Sequence, residues 1–98
     1  MTVVMLEPAE ADLAAAFDYY EQARPGLGHE FVDEFRRAVD RILTYPGGWH
    51  SLDATYRRCL LHRFPYAIIY RVAEVEKEIV IAAVFHTSRE PDSWRSRR

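Results

Sequence analysis

Hydrophobic and polar positions divide this chain into segments of different period. Thr2–Leu6 is a short apolar run that reads as a strand. From Glu7-Pro8 the pattern turns helical, with Pro8 suited to a first turn and Leu13, Ala16, Phe17 and Tyr20 on one stripe. Glu7, Glu10 and Asp12 sit where the helix dipole favours acids, and Arg24-Pro25-Gly26 ends the helix near Ala23. A second helix is expected over about Leu27–Leu43. It would bury Leu27, Phe31, Phe35, Ala38, Val39 and Ile42, and expose Glu30, Asp33, Glu34, Arg36, Arg37, Asp40 and Arg41. Tyr45-Pro46-Gly47-Gly48 stops it, and the short break between the helices predicts an antiparallel hairpin.

Trp49–Thr55 reads as a loop. Runs rich in β-branched and aromatic residues follow at Tyr56–His62, Tyr66–Val72 and Glu78–His86. They are joined by the tight Arg63-Phe64-Pro65 link and a charged hairpin turn over Ala73–Lys77. The last run, I-V-I-A-A-V-F, is apolar on both faces, which predicts a central strand covered on both sides. Alternation is expected to turn Ile79, Ile81, Ala83 and Phe85 towards one core layer, with Phe17, Phe31 and Phe35 packed onto the sheet. The tail from Glu90 adds a helical turn and ends in Arg95, Arg97 and Arg98. The order β-α-α-β-β-β predicts a two-layer α+β domain, a helical hairpin on a small, mostly antiparallel sheet.

A length of 98 residues allows a single domain over 1–98, and 49% hydrophobic residues can build its core. The one cysteine excludes an intrachain disulfide and fits a reducing compartment; Cys59, in an apolar run, reads as a small core residue. No leader or membrane-spanning run is visible, so a cytoplasmic location is expected. The net charge of -2 hides an asymmetry. Residues 1–55 carry ten Asp/Glu against four Lys/Arg, and residues 56–98 carry five against nine, so the halves stand at -6 and +4. An acidic half and a basic half suggest two different partners or two faces for two jobs, the alternative being ordinary surface charge unevenly shared.

Candidate chemistry is sparse. His29, His50, His62 and His86 do not pair at ligand spacing, so neither metal nor cofactor is expected. Pro46-Gly47-Gly48 lacks the lysine of a phosphate loop, and the serines lack nucleophile-elbow context. His86, at a strand end beside Thr87, Ser88 and Arg89, suits proton transfer or a bond to backbone. Arginines carry the strongest signal. Alternation puts Arg57, Cys59, Leu61 and Arg63 on one face and Arg58, Leu60 and His62 on the other. Arg89 and Arg95 follow the last strand. With Trp94, Tyr66 and Tyr70 they can form an anion-binding surface with aromatic platforms, or else pair with the acids of the helices.

The segments R-R-C-L-L-H-R-F-P-Y-A-I-I-Y-R-V and I-V-I-A-A-V-F-H-T-S-R-E-P-D-S-W closely resemble the RelE/ParE superfamily of bacterial type II toxins, also described as plasmid-stabilisation toxins. A-D-L-A-A-A-F-D-Y-Y, P-G-L-G-H-E-F and the Y-P-G break extend the resemblance over nearly the whole chain. It implies a first strand parallel to the last and a growth-arresting protein neutralised by a cognate antitoxin. ParE-type members poison DNA gyrase; RelE-type members cut messenger RNA on the ribosome. Positions where the ribonuclease relatives carry basic or tyrosine side chains hold Ala67, Thr87 and Ser93 here, which favours the ParE-like reading. Only under the ribonuclease alternative would His86 be catalytic. An inactive, antitoxin-binding member of the fold is the remaining alternative. The expected target-binding residues are Arg63, Arg89, Trp94 and Arg95, since an arginine offers a planar fork and a tryptophan an interface anchor. Arg57, Arg58 and Tyr20 are expected to meet the antitoxin, a mostly acidic and apolar segment crossing the sheet and the helical hairpin.

Overall fold

A strand that is apolar on both faces must lie inside its sheet, and the last strand does. In the computed structural model, which describes residues 1–97, the elements are β1 (Thr2–Met5), α1 (Glu7–Ala23), α2 (Leu27–Thr44), β2 (His50–Ser51), β3 (Tyr56–Leu60), β4 (Tyr66–Ala73) and β5 (Glu78–His86). A 3-10 turn over Ser93–Arg97 follows, and Arg98 of the basic tail lies outside the described residues. The sheet order is β1-β5-β4-β3-β2. β1 runs parallel to β5 and the other pairs are antiparallel. The two-layer α+β expectation therefore holds. The segment read as a loop over Trp49–Thr55 contributes the two-residue edge strand β2, paired through His50 to Arg58 and Ser51 to Arg57. Two residues are too few to show a period in sequence. Strand β3 ends at Leu60 rather than His62, because the link to β4 turns through Arg63 in the left-handed region at φ 69°. Among the described residues no helix is long and apolar enough to cross a membrane.

The sheet has a core on each face. Under the helices, Phe31, Phe35, Ala38 and Ile42 of α2 pack with Cys59, Ile68, Tyr70, Ile79 and Ile81. On the opposite face Tyr56, Ile69, Ala82, Ala83 and Phe85 pack around Trp94. The expectation that Ile79, Ile81, Ala83 and Phe85 share one face is corrected here. Ile69 pairs with Ala83 and Tyr70 with Ile81, so Ala82 is an extra residue in β5, a β-bulge. The bulge shifts the alternation by one: Ile79 and Ile81 face the helices, whereas Ala83 and Phe85 face away. Phe17 also departs from expectation. Its ring meets His29 edge-on at 5.0 Å, in the seam between the helices rather than on the sheet. Glu34, expected on the solvent face of α2, is only 5% exposed. It lies three residues from Phe31 and four from Ala38, on the buried stripe, and accepts a 3.0 Å bond from Arg37.

The helical hairpin is fastened by a residue that periodicity does not single out. Both carboxylate oxygens of Glu21 accept the Gly26 N–H, at 3.0 and 2.9 Å, and Oε1 also accepts the Gly28 N–H at 3.0 Å. These bonds, the Gly26 one foremost, hold the Glu21 carboxyl below its usual range. They satisfy donors that the start of α2 leaves without helical partners. Glycine is required at position 28, where a Cβ would lie 2.7 Å from the Phe17 carbonyl oxygen.

Tyr70 is fully buried, and its hydroxyl donates to the Pro46 carbonyl at 2.6 Å, tying β4 to the end of the hairpin. Burial pushes its phenol up to about 12. The unfolded chain ionises this group near the ordinary phenol value of 10.0 while the folded chain keeps the proton. The neutral phenol therefore stabilises fully below pH 10, and that stability is lost as pH rises towards 12. Tyr70→Phe should cost roughly 1 kcal/mol at neutral pH and flatten the alkaline limb of stability against pH, measured by urea unfolding. An equally steep limb in the variant would show that Tyr70 is not its source.

Candidate functional site

The end of β5 and the segment after it gather the polar side chains that the core does not use. Beyond Met5, β1 no longer covers the edge of β5, and Asp12 of α1 takes over by accepting the Val84 N–H on Oδ2 at 3.0 Å. The chain then turns back, with the Thr87 N–H on the Pro65 carbonyl at 2.8 Å and the Arg89 N–H on the His86 carbonyl at 3.1 Å. Ser88 fixes the His86 ring. Its backbone N–H donates to Nδ1 at 3.0 Å, and its Oγ lies 2.7 Å from the same nitrogen. An N–H donor on Nδ1 makes that nitrogen the acceptor, so the neutral ring carries its proton on Nε2. The ring also meets Tyr66 edge-on at 5.0 Å. Arg89 is exposed, its guanidinium carbon 5.5 Å from the Phe85 ring centre. No salt bridge joins Arg89 to another described residue.

His86 and Arg89 border a cavity on each side of the sheet. On the helix side a cavity of about 180 Å³ is lined by Asp12, Tyr19, Tyr66, His86 and Arg89, among others. Burial raises the Tyr66 phenol, and the nearby Arg89 opposes that rise. On the opposite side a smaller cavity of about 80 Å³ lies between Arg58, Phe85, Arg89 and Pro91. Arg58 also lines a groove of about 440 Å³ with Arg41, Trp49, His50, Leu60 and His62. Among the described residues no Asp or Glu lines either of these last two. Leu60 is 50% exposed in the groove, so the surface is basic around an apolar centre.

The other expected site residues are placed differently. Trp94, expected to present an apolar face to a partner, is 1% exposed and packs edge-on against Tyr56 at 4.8 Å. The second face of a two-sided strand needs a cover, and Trp94 supplies it. Arg95 stacks over the Trp94 ring at 4.5 Å and bonds Asp53 Oδ2 at 2.7 Å and Asp92 Oδ1 at 3.0 Å. It clamps the C-terminal turn to the loop before β3, where Asp53 Oδ1 accepts the Thr55 and Tyr56 N–H groups at 2.8 and 2.7 Å. Arg63 pairs with Glu30 of α2 at 2.6 Å, and Glu30 also takes Arg24 at 3.2 Å. The bond from Arg63 holds the Glu30 carboxyl below its usual range.

Arg57, Arg58 and Tyr20 do not form one patch. Arg57 donates to the Trp49 carbonyl at 2.8 Å and Arg58 lines the groove, while Tyr20 stacks on Phe31 and meets Phe64 and Tyr66 under the helices. Burial pushes the Cys59 thiol up, in keeping with a core residue. Sequence reading missed Asp12 and Tyr19 as companions of His86. Their signal was spacing: seven residues apart on α1, they share one helix face.

Comparison with known proteins agrees with this architecture. The family described as the ParE toxin of the type II toxin-antitoxin system, parDE, matches residues 3–91. A solved structure titled as the chromosomal ParDE TA system from P. aeruginosa superposes with a TM-score of 0.76 at 25% sequence identity. The match covers 90% of this chain and 97% of that one. No curated protein sequence matches. The fold is that of a small toxin of the type II toxin-antitoxin class. The chain belongs to the ParE toxin family.

Burial makes Trp94 a packing residue. Trp94→Ala should destabilise the protein by about 3–5 kcal/mol in urea unfolding. Arg95→Ala, which removes only a partly exposed clamp, should cost far less. Equal stability of Trp94→Ala and the parent protein would show that the C-terminal turn does not cover the sheet.

Proposed function

We propose that this ParE-family toxin arrests growth by binding DNA gyrase through the β5 end around Arg89, and that a cognate antitoxin neutralises it. The observation that carries this reading is the sheet face opposite the helices. Phe85 packs there with Trp94 and pairs with Ala67 across the strands, beside a cavity of only about 80 Å³ with no carboxylate among its described lining residues. A nuclease working on that face would need a positioned general acid and base with room for a phosphodiester. His86, the one candidate, has Nδ1 taken by the Ser88 N–H and its proton on Nε2, so it offers an acid but no base, and no carboxylate among that cavity's described lining residues supplies one. Exposed Arg89 instead suits a protein carboxylate, as a fork beside an aromatic ring. Arg89→Ala should reduce growth arrest on induction while circular dichroism stays unchanged. Plasmid supercoiling should shift on induction of the parent protein, with messenger RNA intact. Cleaved messenger at unchanged supercoiling would favour the ribonuclease alternative.

Antitoxin binding is the second part of the proposal. The basic groove around Arg58 and Leu60 suits an acidic segment that also brings an apolar anchor. Arg58→Glu should weaken binding of the antitoxin encoded alongside by about tenfold or more, and reduce the salt dependence of binding. An unchanged affinity would place the antitoxin elsewhere.

A further inference from the structure

The chain has four histidines, and the fold employs two of them. His29 packs edge-on against Phe17, and His86 is held through Nδ1 by Ser88. His50 and His62 are exposed, and among the described residues neither ring makes a hydrogen bond or an ion pair. Both nevertheless line one surface, the groove of about 440 Å³ around Leu60. Their placement follows from the strands. His50 of β2 pairs with Arg58 of β3, so the two side chains stand side by side on one face. Leu60 and His62 follow Arg58 at every second residue. The Leu61 N–H still bonds the Tyr66 carbonyl at 2.9 Å, which carries the alternation past the end of β3.

This lining does not favour the free protein. The charged groups that line the groove with the two imidazoles are Arg41 from α2 and Arg58 from β3; β4 contributes none among the described residues. Arg41 is held there by donating to the Leu60 carbonyl at 2.9 Å. A proton on His50 therefore sets a second cation directly across the strands from Arg58, and like charges so opposed are unfavourable. The fold gains nothing from that arrangement. An acidic partner reverses it, because each carboxylate that enters the groove favours the charged imidazole. Histidine ordinarily changes charge at about pH 6.5, where arginine stays charged and carboxylates are already ionised. Arg41 and Arg58 thus give the groove a fixed attraction, and His50 and His62 give it an adjustable one.

We infer that His50 and His62 make antitoxin binding proton-linked: both imidazoles take up protons as the acidic segment enters the groove. Neutralisation then tightens as pH falls through the histidine range and loosens as pH rises, because the complex holds more protons than the separate proteins. This inference rests on the groove being the place where the antitoxin binds.

The test is a calorimetric titration of the whole chain with the purified antitoxin encoded alongside. Affinity should rise about tenfold or more between about pH 8 and about pH 6. At about pH 7, heats in buffers of different ionisation enthalpy should report uptake of about one proton per toxin. The double variant His50→Gln, His62→Gln should abolish that uptake and hold the affinity within about twofold over the same range. Both rings are exposed, so this variant should keep the parent's thermal unfolding midpoint. An affinity that is flat with pH, a binding heat without proton uptake, or a pH dependence that survives the double variant overturns the inference. Arg58→Glu separates it from the reading beneath it. Where that variant weakens binding but the pH dependence is missing, the antitoxin occupies the groove and only the histidine linkage fails. Where affinity ignores Arg58→Glu, the groove is not the antitoxin's site and both fail.

Discussion

Strand β5 is buried along both of its faces, and the rest of the molecule follows from covering it twice. The helical hairpin covers one face with Phe31, Phe35 and Ile42. The other face is covered by the chain's own C-terminal turn, through Trp94. The bulge at Ala82 makes the two coverings compatible. Before it, Ile79 and Ile81 feed the helix-side core; after it, the even-numbered Val84 and His86 take over that side, and Phe85 turns to Trp94. One inserted residue thus lets a single strand serve both cores and brings the His86 ring to the helix-side cavity.

Periodicity made most of this fold legible. Runs at helical spacing, punctuated by Arg24-Pro25-Gly26 and Tyr45-Pro46-Gly47-Gly48, give the hairpin with its ends nearly in place. The two-sided apolar run gives β5 its inner position. The bulge was not legible, because I-A-A-V is apolar in either phase and small residues do not declare a face. The role of Trp94 was misread for a related reason. A tryptophan beyond the last strand reads as an interface anchor unless the face it covers is known to need covering, and that need arises only from the sheet order.

The site was legible in part. His86 and Arg89 follow a strong strand and draw attention by position alone. Their companions on α1 did not, since Asp12 and Val84 lie 72 residues apart and local spacing cannot pair them. Asp12 also had a sufficient local explanation as an acid near the start of α1. The arginines shared one composition signal but have separate employments. Arg63 and Arg95 are held in ion pairs that shape turns, whereas Arg58 and Arg89 face surfaces with room for a partner.

Trp94 comes after all five strands of the sheet it covers, and that order has a consequence for synthesis. A chain that leaves the ribosome N-terminus first can close the helix-side core once β5 is out. The opposite face then stays bare, with Ile69 and Phe85 in water, until Trp94 emerges as well. The second core therefore forms after the first, and the interval between them leaves a complete helical hairpin over an uncovered sheet, a body for chaperones and proteases.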